Sequence, residues 1–438
     1  MRAPSRNSPR RLLPALLSLL CLALTCTLAL EGAGFDPHAV GWTKTKGGQG
    51  GTLLRVTSLA AHGKGTLAEA LAHKGPRVIV FEVGGVIDLE GRSLQVKEPF
   101  VTIAGQTAPA PGITLIRGGL GIATHDVVVQ HLAVRPGEAG HAKRSGWEVD
   151  GIATHSGAHD VIVDHCSCTW ATDENLSASG ARFTGEEKGP ESWRAGTSHR
   201  ITFTNNLIAE CLSESTHAKG EHSKGSLVHD NVTQIALVGN LYASNMERNP
   251  LFKGGVHGIV VNNLLCNPGH VLVHYGLVAE EWGSRPYQTG QMAIVGNFTL
   301  FGGDTAKLKR KPAVLDVGGA GACEAFLSDN TGAGEAETIE ASHSKPGLLR
   351  LLEKAPLWPE GFVPLKSAQL TTTLPSEVGA HPWARDPIDQ RIIAGALSGK
   401  GRIINSEAEV GGYPTHAPTS APFKAEDWDL ATLTRRKP

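Results

Sequence analysis

Ile201-Thr-Phe-Thr-Asn-Asn206, Ile235-Ala-Leu-Val-Gly-Asn240 and Ile259-Val-Val-Asn-Asn263 share one design, an alternating apolar run that ends in asparagine. Val127–His131, Val161–His165 and Ala293–Asn297 follow the same pattern. The last polar positions of the six segments are 34, 41, 34, 23 and 34 residues apart, which reads as a unit near 23 residues with loops inserted into some turns. That is the repeat of a β-helix coil. A short strand cannot bury its apolar face alone, but stacked on its neighbours it joins a continuous core and pairs its backbone above and below. Asn206, Asn240 and Asn263 would then stack as an internal amide ladder. A β-sandwich would need hairpin turns such as Asn-Gly between the runs, and few occur. The expected fold is therefore all-β, a right-handed parallel β-helix with a short N-terminal capping helix and an irregular C-terminal tail.

Working outward, Gly65 to His73 carries Leu67 and Leu71 before a Lys-Gly-Pro stop, and predicts a short helix covering the open end of the core. Residues 303–380 lose the repeat and become Ala/Gly/Glu-rich. Asp386-Pro387 starts a second helix, with Ile388, Ile392, Ile393 and Leu397 on one face and Gly399 as its stop. At the other end, Arg2, Arg6, Arg10 and Arg11 precede an apolar run from Leu12 to Leu24 and small residues at Thr27-Leu28-Ala29, the layout of an export signal. Arg10-Arg11 raises a twin-arginine route and Cys26 a lipid anchor as side alternatives. The expected organisation is a signal over residues 1–30, a β-helix over 31–345 and a packed tail over 346–438. The protein is expected to be secreted, monomeric and free of the membrane once the signal is removed.

Gly and Pro are plentiful and aromatic residues make up 5% of the 438, which suits a chain that turns often. Five cysteines beyond the signal, Cys166, Cys168, Cys211, Cys266 and Cys323, have no CxxC spacing and read as buried free thiols. The formal net charge is −1, so no global field draws in a polyanion and nucleic acid is excluded as a partner; an acidic substrate must be held by local cations or a bridging metal.

Residues one coil apart lie on one face, about 4.8 Å apart along the stack. Asp150 opens one coil, Asp173 opens the next 23 residues later, and Lys224 opens the one after an insertion. Glu148 points to the same side as Asp150 by strand alternation, Glu174 adjoins Asp173, and Arg248 and Lys253 follow immediately. Glu148, Asp150, Asp173 and Glu174 would repel one another unless a cation sat among them, and all-oxygen ligands favour calcium over transition metals. Without basic residues in register, the same carboxylates would read as a solvated acidic surface. His217 and His222 lack a third metal ligand at convincing spacing. Asp164-His165 reads as a pair bonded within the coil stack rather than a catalytic one, and three Asn-x-Ser/Thr patterns begin at Asn175, Asn231 and Asn297.

Several runs resemble the pectate lyase family, polysaccharide lyase family one. Val161-Ile-Val-Asp-His-Cys-Ser-Cys-Thr-Trp-Ala-Thr-Asp-Glu174 is similar to its V-I-D-H-C-S-x-S-W-x-x-D-E signature, and Met246-Glu-Arg-Asn-Pro-Leu-Phe-Lys-Gly-Gly255 to its R-x-P-x-x-[RK] segment. Gly47-Gly-Gln-Gly-Gly51, Val56-Thr-Ser-Leu59, Gly65-Thr-Leu-Ala-Glu-Ala70 and Thr102-Ile-Ala-Gly-Gln-Thr-Ala108 resemble its amino-terminal patterns, and Gly401-Arg-Ile-Ile-Asn-Ser406 with Glu409-Val-Gly-Gly412 is similar to tails of bacterial members. The resemblance implies a secreted bacterial lyase that cleaves polygalacturonate by calcium-dependent β-elimination, with Arg248 as the base, Lys224 and Lys253 holding substrate carboxylates, and Asp150 and Asp173 binding Ca2+ beside Glu148. Ser177 stands where many members carry another acidic ligand, so either the metal is held more weakly or Glu174 substitutes there. The loop 213–223 leaves the register of Lys219 against Lys224 open, with Lys224 favoured as the substrate contact. The rivals are a pectin lyase or polygalacturonase-type hydrolase on the same fold, and a non-catalytic carbohydrate-binding β-helix.

Overall fold

The computed structural model describes residues 34–184, 189–308, 312–334 and 339–436. The expected export signal, with Cys26, lies outside them. Among the described residues no helix is long and apolar enough to cross a membrane.

The chain winds as a right-handed parallel β-helix, passing in each coil through three stacked sheets. The first sheet has eleven strands, running in chain order from Thr52–Val56 to Leu349–Leu351. It contains all six sequence repeats in consecutive rungs, among them His125–Gln130, His159–Asp164, His199–Thr204, Thr233–Val238, His257–Val261 and Gly290–Val295. Each rung turns at a polar residue into the second sheet and then passes through a bend into the third, whose rungs include Ile152–Thr154, Leu176–Ala178, Leu227–Val228 and Leu251–Lys253. Pairing within the coils is parallel throughout; the second sheet closes at one edge on an antiparallel strand from the tail, Thr419–Ser420, against Val83–Asp88.

The amide ladder forms at the turn from the first sheet to the second. Asn206 donates its side-chain nitrogen to Asn240 Oδ1 at 2.9 Å, Asn240 to Asn263 Oδ1 at 3.0 Å, and Asn263 to Asn297 Oδ1 at 3.0 Å. Asn297 extends it to Asn330 at 2.9 Å, two rungs beyond the expected stretch. Asn175, Asn231 and Asn297 are all buried, so none of the three glycosylation patterns presents its amide to solvent. Asp164 accepts from Gln130 and Asn205 and pairs with His165, a bonding pattern internal to the stack.

Residues 303–380 were expected to be irregular, yet the coil continues through Ala313–Gly319, Cys323–Ser328 and Leu349–Leu351. Charged and glycine-rich positions mask the apolar alternation there because those outer rungs are partly exposed. The capping helix spans Leu67–Leu71, is N-capped by Thr66, and buries Leu67, Ala70 and Leu71 in the core. The tail helix spans Pro387–Ser398, with Asp386 as N-cap and Gly399 as a left-handed stop at φ 68°. Its buried face is Ile392, Ile393 and Ala396, whereas Leu397 is 42% exposed, a correction to the expected face. The helix is tied down by Arg135, fully buried between Asp386 and Asp389. All five cysteines beyond the signal are buried and free.

Beyond the interior core, two outer faces of the solenoid are covered. The second sheet offers Leu207, Leu241 and Leu264, packed under Leu370, Leu374, Ile392 and Ile393. The first offers Val238, Ile259 and Val261, packed under Val40 and Phe362. The third sheet has a smaller apolar cover, where Trp282, Trp193 and Phe183 pack with Leu277, and the charged groups lie on the face beside it.

Candidate active site

The pairing of Ile152 with Leu176 fixes the local register on the third sheet. Asp150 therefore stands level with Glu174, not with Asp173, because this coil is one residue longer than the expected 23. Glu174 in turn bridges to Lys224, and Lys224 to Glu247, as neighbouring rungs. The column on this face is thus Asp150, Glu174, Lys224 and Glu247. Asp173 flanks it, and carboxylate oxygens of Asp150, Asp173 and Glu174 lie within 4.8 Å of one another.

These acids are poorly matched to one another without a cation. Burial and the charge of Asp173 push the Asp150 carboxyl well above its usual range, with Arg248 only partly offsetting them. Burial would raise Asp173 as well, but His222, His217 and Arg248 outweigh it and hold that carboxyl low. An all-oxygen set of three carboxylates fits a hard divalent cation. Glu148 is not in common reach of the three: its Oε1 accepts from the Ala218 amide at 3.0 Å and stands 3.5 Å from His217 Nδ1. It still lines, with Asp150, Asp173, Gln95 and His155, a cleft of about 220 Å³ against the acids.

Arg248 reaches the cluster from two coils beyond Glu174, next to Glu247, with its backbone in the left-handed region at φ 60° and its guanidinium ion-paired to Glu174. Its Nε is buried with no protein partner. Burial pushes the guanidinium down from its ordinary value, and Asp173, Asp150 and Glu281 restore part of that. The ion pair with Glu174 acts in the same restoring sense. Lys224 is buried and paired with Glu247, which also accepts from His270 at 3.0 Å; burial would raise Glu247, but His270 and Lys224 hold it far below the usual carboxylate range. Lys253 pairs with Glu281.

The loop 213–223 folds back over the acids. It stacks the rings of His217 and His222 at 3.7 Å and sets His222 Nε2 2.7 Å from Asp173 Oδ1. Asp173 thus provides the third group that these histidines lacked by spacing; it comes from the preceding coil, which no local pattern could show. Lys219 sits exposed on this loop, its amide bonded to His217, whereas Lys224 lies in the column. Also missed were Glu247, in plain view beside Arg248, and the group Arg182, Asp230 and Glu281 around Lys253.

No family model matches the chain. Among curated proteins it is similar to a probable pectate lyase C of Aspergillus terreus, 30% identical over 404 residues that cover 91% of this chain and 85% of that one. The corresponding protein of Emericella nidulans is 30% identical over 410 residues, covering 92% and 84%. These relatives are fungal and lend nothing to the bacterial membership suggested by the tail. Among solved structures, the cedar pollen allergen jun a 1 superposes with a TM-score of 0.55 at 16% identity, covering 78% of this chain and 92% of that one. A pectate lyase solved in a study of substrate specificity and anti β-elimination superposes at 0.51 with 13% identity, covering 80% of this chain and all of that one. At such identities the superpositions establish the β-helix alone. With sequence identity spread along nine-tenths of its length, the chain belongs to the pectate lyase family.

Proposed function

We propose that the protein cleaves polygalacturonate by calcium-dependent β-elimination, leaving a 4,5-unsaturated sugar end. The observation that carries this reading is the meeting of Asp150, Asp173 and Glu174 with Arg248 on the outer face of the third sheet. The proton on C5 of galacturonate is barely acidic while the adjacent carboxylate keeps its full charge. Calcium, held by Asp150, Asp173 and Glu174, would supply the positive charge that neutralises that carboxylate. Lys224, the column's own cation, donates to the same developing negative charge, and Lys253 fixes a carboxylate further along the chain. Arg248, in its unprotonated form, takes the C5 proton. The C5–H electrons become the C4–C5 double bond, the C4–O bond breaks, and the leaving oxygen is protonated.

Glu174 has two partners to choose between. A cation among the acids would compete with Arg248 for the Glu174 carboxylate, and so would free the guanidinium for base work. Lys219, exposed on the loop above, would meet substrate only at its outer edge. Secretion as a monomer is part of the same reading and rests on the signal-like residues 1–30.

The test is absorbance. Polygalacturonate incubated with the protein and calcium is expected to develop the ultraviolet band of a conjugated unsaturated uronate, and a chelator is expected to abolish it. New reducing ends without that band would mean hydrolysis, and binding with neither product would mean a carbohydrate-binding protein.

A further inference from the structure

A second charged group occupies the third-sheet face around Lys253. Arg182 donates through Nε to Asp230 Oδ2 at 2.9 Å and through Nη2 to Glu281 Oε2 at 2.6 Å. Lys253 Nζ pairs with the same Glu281 oxygen and stands 3.5 Å from Asp230 Oδ2. Two cations are thus balanced by two carboxylates, and the two carboxylates are not alike. Asp230 has no exposed side-chain surface and is locked by Trp282 Nε1 at 2.7 Å, whereas the Glu281 side chain is 36% exposed. The nearby His229 is held neutral, its pKa down to about 4 by burial despite Asp230.

Glu281 lies on a single helical turn, Ala279–Trp282, whose backbone is anchored because Trp282 packs edge-on against Trp193 and Phe183. The backbone is fixed while the glutamate side chain is free to swing. One carboxylate oxygen held between a guanidinium and an ammonium is also how a protein holds a uronate. We propose that Arg182 joins Lys253 in holding its substrate carboxylate, and that Glu281 occupies that place in the free protein and is displaced when polyuronate binds. The inference rests on the lyase reading, since it needs an acidic sugar chain to pass from Arg248 to Lys253, five residues further along the same coil. Charge balance supports the exchange: replacing Glu281 by a uronate carboxylate leaves the group neutral, while losing Asp230 would strand a buried cation pair. Glu281 is the exposed member of the group, and both cations keep a carboxylate partner through the exchange, so its displacement costs little and it tunes affinity and disfavours neutral sugars without blocking the site.

The experiment uses the full chain carrying Arg248→Ala, which is expected to bind without cleaving, titrated calorimetrically in calcium buffer with trigalacturonate and with its methyl ester. Adding Glu281→Gln is expected to tighten trigalacturonate about three- to fivefold and to leave the ester unchanged. Adding Arg182→Gln to that pair is expected to abolish the gain and Arg182→Lys to retain it. If Arg182→Gln unfolds the protein, Lys253→Gln makes the same test from the other cation. Unchanged trigalacturonate affinity on Glu281→Gln, or an equal gain for the ester, overturns the subsite while leaving the lyase reading standing. Failure of the Arg248→Ala protein itself to bind trigalacturonate removes the lyase reading and the subsite with it.

Discussion

Arg248 shows how little a residue's identity says until its surroundings are known. An arginine is ordinarily a permanent cation, and most buried ones bind carboxylates. Here a side chain only 20% exposed carries an Nε with no partner, while burial works against its charge. Replacing Arg248 by Ala is expected to lower kcat by at least about a hundredfold while leaving trigalacturonate binding within about threefold, because general-base catalysis is lost and ground-state contacts are not. A base of such high pKa gains unprotonated fraction as pH rises. The rate kcat/KM should therefore climb through the alkaline range, and a profile peaking near about pH 5 would remove Arg248 from the role. Histidines give a second expectation. Burial holds His131 down to about 3, and His229, His257 and His274 down to about 4. In the unfolded chain each returns to about 6.5. Between those values the unfolded state binds more protons, so stability is full above about pH 6.5 and falls as pH drops toward about 4. The melting temperature should be lower by about 5 °C or more at about pH 4.5 than at about pH 7.5; an unchanged value would mean that these rings stay protonatable in the fold.

At the scale of elements, the amide ladder does for the turns what strand pairing does for the sheets. Asn240 accepts from the Asn206 amide and side chain and donates to Phe203 O and Asn263 Oδ1, with no solvent contact. Cutting it strands several polar groups in the interior at once. Asn240→Ala is expected to cost about 2–4 kcal/mol, read from urea unfolding, which is more than an isolated hydrogen bond is worth because the orphaned partners stay desolvated. The cost should fall for Asn330, at the exposed end of the same ladder, where water can replace the missing partner. The column on the third sheet obeys the same geometry with charge in place of amides. Stacking side chains at the rung spacing makes a ladder cooperative when neighbours complement each other and costly when they repel. Asp150 beside Asp173 is the repelling pair, with Glu174 in common reach, and that is where a cation could be held.

Across the whole molecule, coverage decides where chemistry can happen. The chain after Leu351 is spent on the first two faces: Phe362 lies over Val238 and Val261, and Leu370, Leu374 and Ile392 lie over Leu207, Leu241 and Leu264. A protein truncated before Phe362 would expose both apolar stripes. It is expected to be recovered as aggregate or as oligomers by size-exclusion chromatography, since contiguous apolar patches of that kind do not stay solvated. A monodisperse, fully active truncated monomer would show that the tail is dispensable. The third face has a smaller cover, Trp282 and Trp193 beside Leu277, and three of its cations each hold a carboxylate: Lys224 holds Glu247, Arg248 holds Glu174 and Lys253 holds Glu281. The chain's formal net charge of −1 gives no hint of these pairs, because each cancels within itself.

Periodicity was enough for the solenoid. Alternation of Ile, Val and Phe closed by asparagine recurs because each rung meets the same environment as the last, so identical physics leaves identical residues, and the ladder from Asn206 to Asn263 could be read directly. The residue types around the site were legible for the same reason. Their partners were not. A coil one residue longer than the expected 23 sets Asp150 against Glu174 instead of Asp173, and the outer rungs beyond residue 303 are too exposed to keep an apolar signature. His217 and His222 found Asp173, and Arg182 found Glu281, 99 residues away, only because insertions between rungs fold back over the face. A repeat fixes what stacks on what; loop insertions break that rule, and wherever charges from different coils must meet within a few ångströms, the tertiary path of those loops decides.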